Sequence, residues 1–202
     1  MNEPIAAVII GLLLSVSAGF RTTLPLLAVN MLAYYHEITL PHNVAWLGTQ
    51  PTLIVLSVGC AVETLVHFIP VAGTYIKAMA TPLAFVAGTL LMAVPLGNQN
   101  PIYQWTLAAT VGGGMATLTH LGVTGARTMS APANVASLGV FGIIWNLGEF
   151  FFSVLFAAVG WLCIYGGWMV GAVVLLALLI VALVVAAKAI SHFTKPRTTA
   201  VS

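Results

Sequence analysis

The stretch Gly19-Phe20-Arg21-Thr22-Thr23-Leu24-Pro25 decides the fold, because its core occurs twice in the chain. Gly125-Ala126-Arg127-Thr128 repeats the Gly-x-Arg-Thr pattern, and Pro132 again follows the arginine within a few residues. Both copies come after a long apolar run, so each arginine is predicted close to or inside a lipid bilayer. An arginine at the bilayer centre costs about 2.5 to 3.5 kcal/mol on insertion scales, so its repetition predicts a function.

The composition predicts a single-domain, all-α integral membrane protein. Of the 202 residues, 60% are hydrophobic and 5% are charged, and the mean hydropathy is +1.08. A soluble domain carries about 25% charged residues. At about 20 residues per crossing, the length allows about six transmembrane helices with short connections. The net charge of +2 is too small for a nucleic-acid-binding surface.

The two halves of the chain show the same order of segments, which predicts a 3+3 inverted repeat. The first repeat covers about residues 4–97, the second about 102–190, and residues 188–202 form a tail. Each repeat contains a span, the Gly-x-Arg-Thr motif, a short broken or re-entrant helix, a span with a central glutamate, and a last span. Three crossings per half give the halves opposite orientations, and broken helices in such repeats meet at a central substrate site.

Basic residues predict the orientation of the chain in the membrane. Lys188, Lys195 and Arg197 indicate a cytoplasmic tail, because positive charge is retained on the cytoplasmic side. Six crossings then place the N-terminus on the same side and the Lys/Arg-free loop 36–50 outside. The expected arrangement is a multi-pass protein with both termini cytoplasmic.

The two arginines predict an anion-binding site. A guanidinium is always charged, and its fork of donors suits carboxylate or phosphate. Unpaired N–H groups at the start of a broken helix would add to that attraction. The alternative is that each arginine reaches an interface or pairs with a glutamate to fix the topology. With the nearby hydroxyl groups, the predicted substrate-binding residues are Arg21, Arg127, Thr22, Thr23, Thr128 and Ser130.

Two glutamates, Glu63 and Glu149, lie inside predicted spans, each on a polar stripe of its helix. His67 follows Glu63 by one turn, and Asn146 precedes Glu149 by one turn. Desolvation favours the neutral form of a carboxyl group, whereas a nearby arginine favours the charged form. A group balanced between the two effects can carry protons. We therefore predict that these four residues serve proton coupling or ion pairing, with a static Arg–Glu pair as the open alternative.

The sequence lacks the patterns of common enzymes and metal sites. No Walker loop, Gly-x-Ser-x-Gly, His-Glu-x-x-His or paired-cysteine motif occurs. No catalytic residue, cofactor or metal is therefore expected, and the chain is not expected to be an enzyme. Gly167 and Gly171 form a small-residue face suited to a homodimer.

Short motifs in both halves carry a resemblance to a known family. They are Ala18–Leu27, Val62-Glu63, Ile69-Pro70, Thr81-Pro82, Ala87–Leu90, Arg127, Ser130, Pro132 and Leu147–Glu149. These motifs resemble those of the bacterial membrane proteins grouped as domain of unknown function 4126, over nearly the whole chain. The resemblance implies a location in the bacterial cytoplasmic (inner) membrane and implies no activity.

These observations predict a small secondary transporter or lipid translocator for an anionic substrate such as a phosphate-bearing one. Arg21 and Arg127 would bind the anion, and Glu63 and Glu149 would exchange protons as the two halves rock. The expected partners are the lipid bilayer and a small anionic or phospholipid-like substrate, without nucleic acid. One alternative is a non-transporting membrane scaffold or assembly factor. Another is a cation or metal channel or transporter centred on Glu63, His67 and Glu149.

Overall fold

The chain is all-helical over the residues that a computed structural model describes, which are 4–66, 72–130, 132, 136–137 and 140–166. No strand occurs in these ranges, so the predicted all-α class is confirmed. The predicted last span, the dimer face at Gly167 and Gly171, and the tail lie outside them. The elements, in chain order, are α1 Pro4–Phe20, α2 Thr23–Tyr34, a 3-10 helix His42–Gly48, α3 Gln50–Val66, α4 Ala72–Ala93, α5 Pro101–Leu107, a π-turn Ala108–Gly113, α6 Gly114–Met129 and α7 Val140–Gly166.

One helix among the described residues is long and apolar enough to cross a membrane, the segment Val140–Cys163 of α7. The 3-10 helix and α3 pass the same test only as a pair, and they are bent against each other by 61°. The shorter apolar helices are Pro4–Phe20, Thr23–Tyr34 and Ala80–Ala93. The six-span inverted repeat therefore stays a prediction.

α1 is the central helix of the described structure. It contacts α2, α4, α6 and α7, and the side chains of Ile10, Leu13 and Ala18 are fully buried. A helix that is apolar on every side lies either in a protein core or in the lipid of a membrane, and other helices surround α1. The packing of α1 therefore determines where its last turn, and the motif that follows, lie in the molecule.

Glycines allow close helix crossings around α1. A Cβ atom on Gly19 would lie 2.7 Å from the carbonyl oxygen of Ala116, so α1 and α6 touch at this point. Gly88 of α4 and Gly112 of the π-turn meet reciprocally, because a Cβ on either would lie 2.5 or 2.6 Å from the carbonyl oxygen of the other. Small residues at crossings are typical of helix packing in membranes. α1, α4 and α6 thus form one closely packed unit.

Buried hydroxyl groups fix the axial position of α1. Ser15 Oγ shares its hydrogen between the carbonyl oxygens of Gly11, at 2.7 Å, and Gly88, at 2.9 Å, and Ser17 Oγ donates to the carbonyl oxygen of Ser153 at 2.7 Å. Both serines are fully buried, where a polar group without a partner is costly. The bonds to Gly88 and Ser153 tie α1 to α4 on one side and to α7 on the other.

Two boundaries differ from the predicted ones. The sequence predicts a short loop at 71–79 and a span from Thr81, whereas α4 begins at Ala72 and carries Pro82 in its interior. A proline is tolerated inside a helix when neighbouring groups satisfy the freed backbone. The predicted polar loop 36–50 contains the 3-10 helix, which the Asn30 side chain holds by donating to the carbonyl oxygen of Leu47.

Candidate functional site

The first Gly-x-Arg-Thr motif lies at the break between α1 and α2. α1 ends at Phe20 and α2 begins at Thr23, with Pro25 in its first turn. Proline is favoured near a helix start because the N–H group it lacks would have no helical partner there. The Thr22 side chain forms no capping hydrogen bond, so the first N–H groups of α2 require another acceptor.

Glu63 of α3 is that acceptor. Its carboxylate oxygens accept the backbone N–H of Thr22 at 2.9 Å and that of Thr23 at 3.0 Å. The hydroxyl group of Thr23 also donates to this carboxylate. Unpaired N–H groups and the positive end of the helix dipole favour negative charge at this position. The start of α2 is therefore an anion site, and a side chain of the same protein fills it.

Arg21 lies at the same break, and hydrogen-bond acceptors satisfy its buried guanidinium only in part. The residue is 4% exposed, and its Nη1 donates to the Thr64 hydroxyl at 3.3 Å. Its guanidinium carbon is 5.8 Å from the centre of the Phe150 ring. Nε has no hydrogen-bond partner among the described residues. A buried charged donor without a partner carries a desolvation cost, so a further acceptor at Arg21 would be stabilised.

The second arginine, Arg127, belongs to a well-satisfied cluster. It lies in the last turn of α6 and pairs with Glu149 of α7 through Nε, at 3.2 Å from Oε1, and through Nη2 to Oε2. Nη2 also donates to Asn146 Oδ1 at 2.8 Å, and Trp145 Nε1 donates to Glu149 Oε1 at 2.6 Å. Two parallel N–H···O contacts make this a strong type of ion pair. The cluster links α6 directly to α7.

Both arginines contact the same turn of α7. Glu149 pairs with Arg127, and Phe150, the next residue, lies beneath Arg21. In addition, the glutamate of each half of the chain meets the motif of its own half. Glu63 caps the residues after Arg21, whereas Glu149 binds Arg127 itself. The structure thus brings the two motifs to neighbouring positions on one helix.

The remaining predicted site residues have local contacts. Thr128 Oγ1 donates to the carbonyl oxygen of Gly125 at 2.7 Å, and Ser130 Oγ donates to that of Arg127 at 3.0 Å. Both bonds lie within the last turns of α6, because α6 continues to Met129 instead of breaking at the arginine. The second motif therefore lies within α6, whereas the first lies at the break between α1 and α2. His67 lies outside the described residues.

Sequence reasoning missed three partners of the arginines and glutamates. Trp145 precedes Glu149 by one helical turn, a spacing at which side chains meet, and this signal could have identified it. Thr64 belongs to the polar stripe around Glu63, but no sequence pattern indicated that it contacts Arg21. Phe150 gave no signal, because an aromatic residue within an apolar run is ordinary.

No three His, Cys, Asp or Glu side chains within the described ranges lie close enough together to hold a metal ion. Glu149 is engaged by Arg127 and Trp145, and Glu63 by the start of α2. The cation-site alternative also needs His67, which is outside these ranges. The described contacts of both carboxylates are therefore with hydrogen-bond donors.

An apolar groove of about 340 Å³ lies beside the break, between α2 and α7 with α1 at its floor. We call it the α2–α7 groove. Its lining residues are Leu14, Leu24, Pro25, Leu27, Ala28, Val29, Met31, Val154, Ala157, Ala158 and Trp161.

The fold and the site define an all-helical protein with two arginine motifs, each met by a glutamate. The chain belongs to the family described as a domain of unknown function (DUF4126), which matches residues 8–188. The match confirms the family resemblance of the motifs. No curated protein and no solved structure is significantly similar to the chain.

Proposed function

We propose that this protein is a small membrane transporter or lipid translocator for an anionic substrate that carries phosphate or carboxylate. The substrate anion binds at the α1–α2 break. The observation that carries the proposal is Arg21, which is 4% exposed and has an Nε group without a partner among the described residues. The positive start of α2 adjoins it, and together they favour a bound anion.

The proposal includes a location in the bacterial cytoplasmic membrane, with six spans in a 3+3 inverted repeat and both termini cytoplasmic. The low charge content supports it, as does the apolar outer surface of α3 and α7. Large exposed apolar surfaces mark contact with lipid or with a partner protein. The exposed residues on these helices include Ile54, Val55, Val58, Val62, Leu65, Ile143, Ile144, Leu147, Phe151 and Leu162.

Glu63 is the proposed proton-coupled gate. Its carboxylate occupies the N–H groups of Thr22 and Thr23 that a substrate anion would also use. Protonation removes the negative charge of Glu63 and weakens its hydrogen bonds, because charge-assisted bonds are roughly twice as strong as neutral ones. An anion can then replace it beside Arg21. Loss of the proton returns the carboxylate to the start of α2 and expels the anion.

A second candidate function is a non-transporting scaffold or assembly factor, and the Arg127 cluster favours it. Glu149 is 5% exposed and is bound by Arg127, while Trp145 donates to the same carboxylate. In a scaffold, such a pair serves to join α6 to α7. In the transporter proposal, by contrast, this pair exchanges with the substrate as Glu63 does.

Transport in proteoliposomes tests the proposal. We would measure uptake of radiolabelled phosphate and of a short-chain carboxylate, and transbilayer movement of fluorescent phosphatidic acid, under an imposed pH gradient. The wild-type protein is expected to move at least one of these anions, and Arg21→Ala is expected to abolish the movement. Glu63→Gln is expected to make it independent of the gradient, whereas Glu37→Gln, at an exposed carboxylate, leaves it unchanged.

Two results would refute the transporter. One is movement of every tested anion at the rate of protein-free vesicles. The other is a wild-type rate in the Arg21→Ala variant, which would remove the anion site from the α1–α2 break.

A further inference from the structure

We infer that the substrate of this site is an anionic lipid, whose acyl chain occupies the α2–α7 groove while its phosphate headgroup meets Arg21. The inference rests on the proposed function and narrows its substrate class. It depends on how the groove is aligned with the arginine, on the chemistry of its walls and on the charge at its end.

The groove begins at the turn that holds the guanidinium. On α2 its lining starts at Leu24, one turn after Arg21, and on α7 it starts at Val154, one turn after Phe150. Arg21 lies over the ring of Phe150, so both walls start beside the same charged group. The walls extend to Met31 and Trp161, which makes them about 10 Å long at about 1.5 Å per residue.

The walls of the groove suit an acyl chain. They consist of leucine, proline, alanine, valine and methionine side chains, together with the Trp161 ring at the far end. Such walls offer a chain close contact without a hydrogen-bond partner for water. Lipid tails are as apolar as leucine, so the groove contributes position and orientation more than affinity. A chain that lies in it has its polar end at the α1–α2 break.

The charge at the break selects the headgroup. Arg21 offers a buried guanidinium whose Nε has no partner within the described residues, and the start of α2 adds the N–H groups of Thr22 and Thr23 once protonated Glu63 releases them. A phosphate monoester can accept from both at once. The ammonium group of a zwitterionic lipid would instead be brought towards a positive charge. The site therefore favours phosphatidic acid over phosphatidylcholine.

Filling the groove tests the inference. Ala158 lines the groove and is exposed, and Ala61, on α3, is also exposed but does not line it. Ala158→Phe should therefore exclude an acyl chain, and Ala61→Phe is its matched control. In phosphatidylcholine vesicles with fluorescent phosphatidic acid, Ala158→Phe and Arg21→Ala are expected to lower transbilayer movement to the protein-free rate. Ala61→Phe should move the lipid at the wild-type rate.

The outcomes separate this inference from the proposed function. If Ala158→Phe moves phosphatidic acid at the wild-type rate, the groove does not hold the acyl chain and the inference is overturned. If inorganic phosphate uptake still depends on Arg21 in that case, the anion transporter stands. If no tested anion moves in the wild-type protein, the short-chain carboxylate included, both the inference and the proposed function fall.

Photocrosslinking of the unmodified protein gives a second measurement that needs no variant. Phosphatidic acid with a diazirine in its acyl chain is expected to label residues 24–31 and 154–161 after illumination. Excess unlabelled phosphatidic acid should reduce the labelling, and phosphatidylcholine should not. Labelling confined to the exposed face of α3 would overturn the inference.

Discussion

Glu63 on α3 accepts the backbone N–H of Thr23 at 3.0 Å, so the start of one helix is capped by an acidic side chain of another. The same carboxylate accepts the N–H of Thr22 at 2.9 Å. Through this contact, the position of α3 and the break between α1 and α2 depend on each other. Any event that neutralises Glu63 therefore acts on the helix start beside Arg21.

Removal of the Glu63 carboxylate is expected to destabilise the protein. Glu63→Ala should lower the free energy of unfolding by about 2 kcal/mol, because the N–H groups of Thr22 and Thr23 lose their acceptor. Glu63→Gln should cost less, since its amide oxygen can still accept one of them. Reversible unfolding in detergent measures both. Glu37→Gln serves as the control, and equal losses for the Gln and Ala variants would contradict the capping role.

The ion pair between Arg127 and Glu149 gives a second prediction. Glu149→Ala should cost about 3 to 5 kcal/mol of stability, because it leaves a guanidinium with its charge partner removed. The exchanged pair Arg127→Glu with Glu149→Arg should recover a large part of that loss, as measured by unfolding in the same detergent.

The transport assay of the exchanged pair separates the two candidate functions. In a transporter, the exchanged pair should regain stability but not anion movement, since the binding charge has changed helix. A scaffold would regain its cellular function together with its stability. Recovery of cellular function together with stability, with no anion movement in either the wild-type or the exchanged protein, would therefore favour the scaffold.

The reciprocal contact of Gly88 with Gly112 predicts opposite effects for two glycine substitutions. Gly112→Ala should cost about 1 to 3 kcal/mol, because its methyl group would be forced against the Gly88 carbonyl oxygen. Gly122 is at an exposed position of α6, with nothing within 4 Å of an added Cβ. Gly122→Ala should therefore raise the free energy of unfolding by up to about 1 kcal/mol through helix propensity. Thermal unfolding compares them, and similar effects would contradict the close crossing.

The buried pair of Ser17 and Ser153 predicts an energetic coupling between α1 and α7. The Ser17 and Ser153 hydroxyl oxygens lie 3.2 Å apart, and each is also within hydrogen-bond distance of the carbonyl oxygen of the other serine. A double-mutant cycle with alanine should give a coupling of about 1 kcal/mol, within the range of buried polar pairs in membrane proteins. Ser57→Ala, at an exposed serine of α3, is the control and should show no coupling to Ser153.

Short-range sequence patterns were sufficient to predict the break between α1 and α2. Pro25 and the apolar run before Arg21 were sufficient to place the α1–α2 break, because proline near a helix start is a backbone effect. The same kind of pattern did not predict that α4 starts at Ala72. Pro82 has the same appearance in the sequence as Pro25, but packing around α4 allows it to remain inside a helix.

The candidate site was predicted in its residue types and only partly in its contacts. The sequence left a static Arg–Glu pair open as an alternative to proton coupling, and in the structure Arg127 binds Glu149 and also Asn146. The cap that Glu63 provides had no sequence signature, because the donor and acceptor residues lie on different helices and meet only through tertiary packing. Thr128 was expected to bind substrate together with Arg127. The helix continues through the motif, however, and the Thr128 hydroxyl donates to the carbonyl oxygen of Gly125 in the same helix.

The π-turn at Ala108–Gly113 gives the chain tolerance to changes in length at one location. A π-turn closes its hydrogen bond over one more residue than an α-turn does. Deletion of one residue there would convert it to a regular turn while the flanking faces of α5 and α6 keep their relative rotation. Homologous sequences that differ by a single-residue insertion or deletion should therefore differ in this segment and not in α1, where a shift would move Arg21 away from the start of α2.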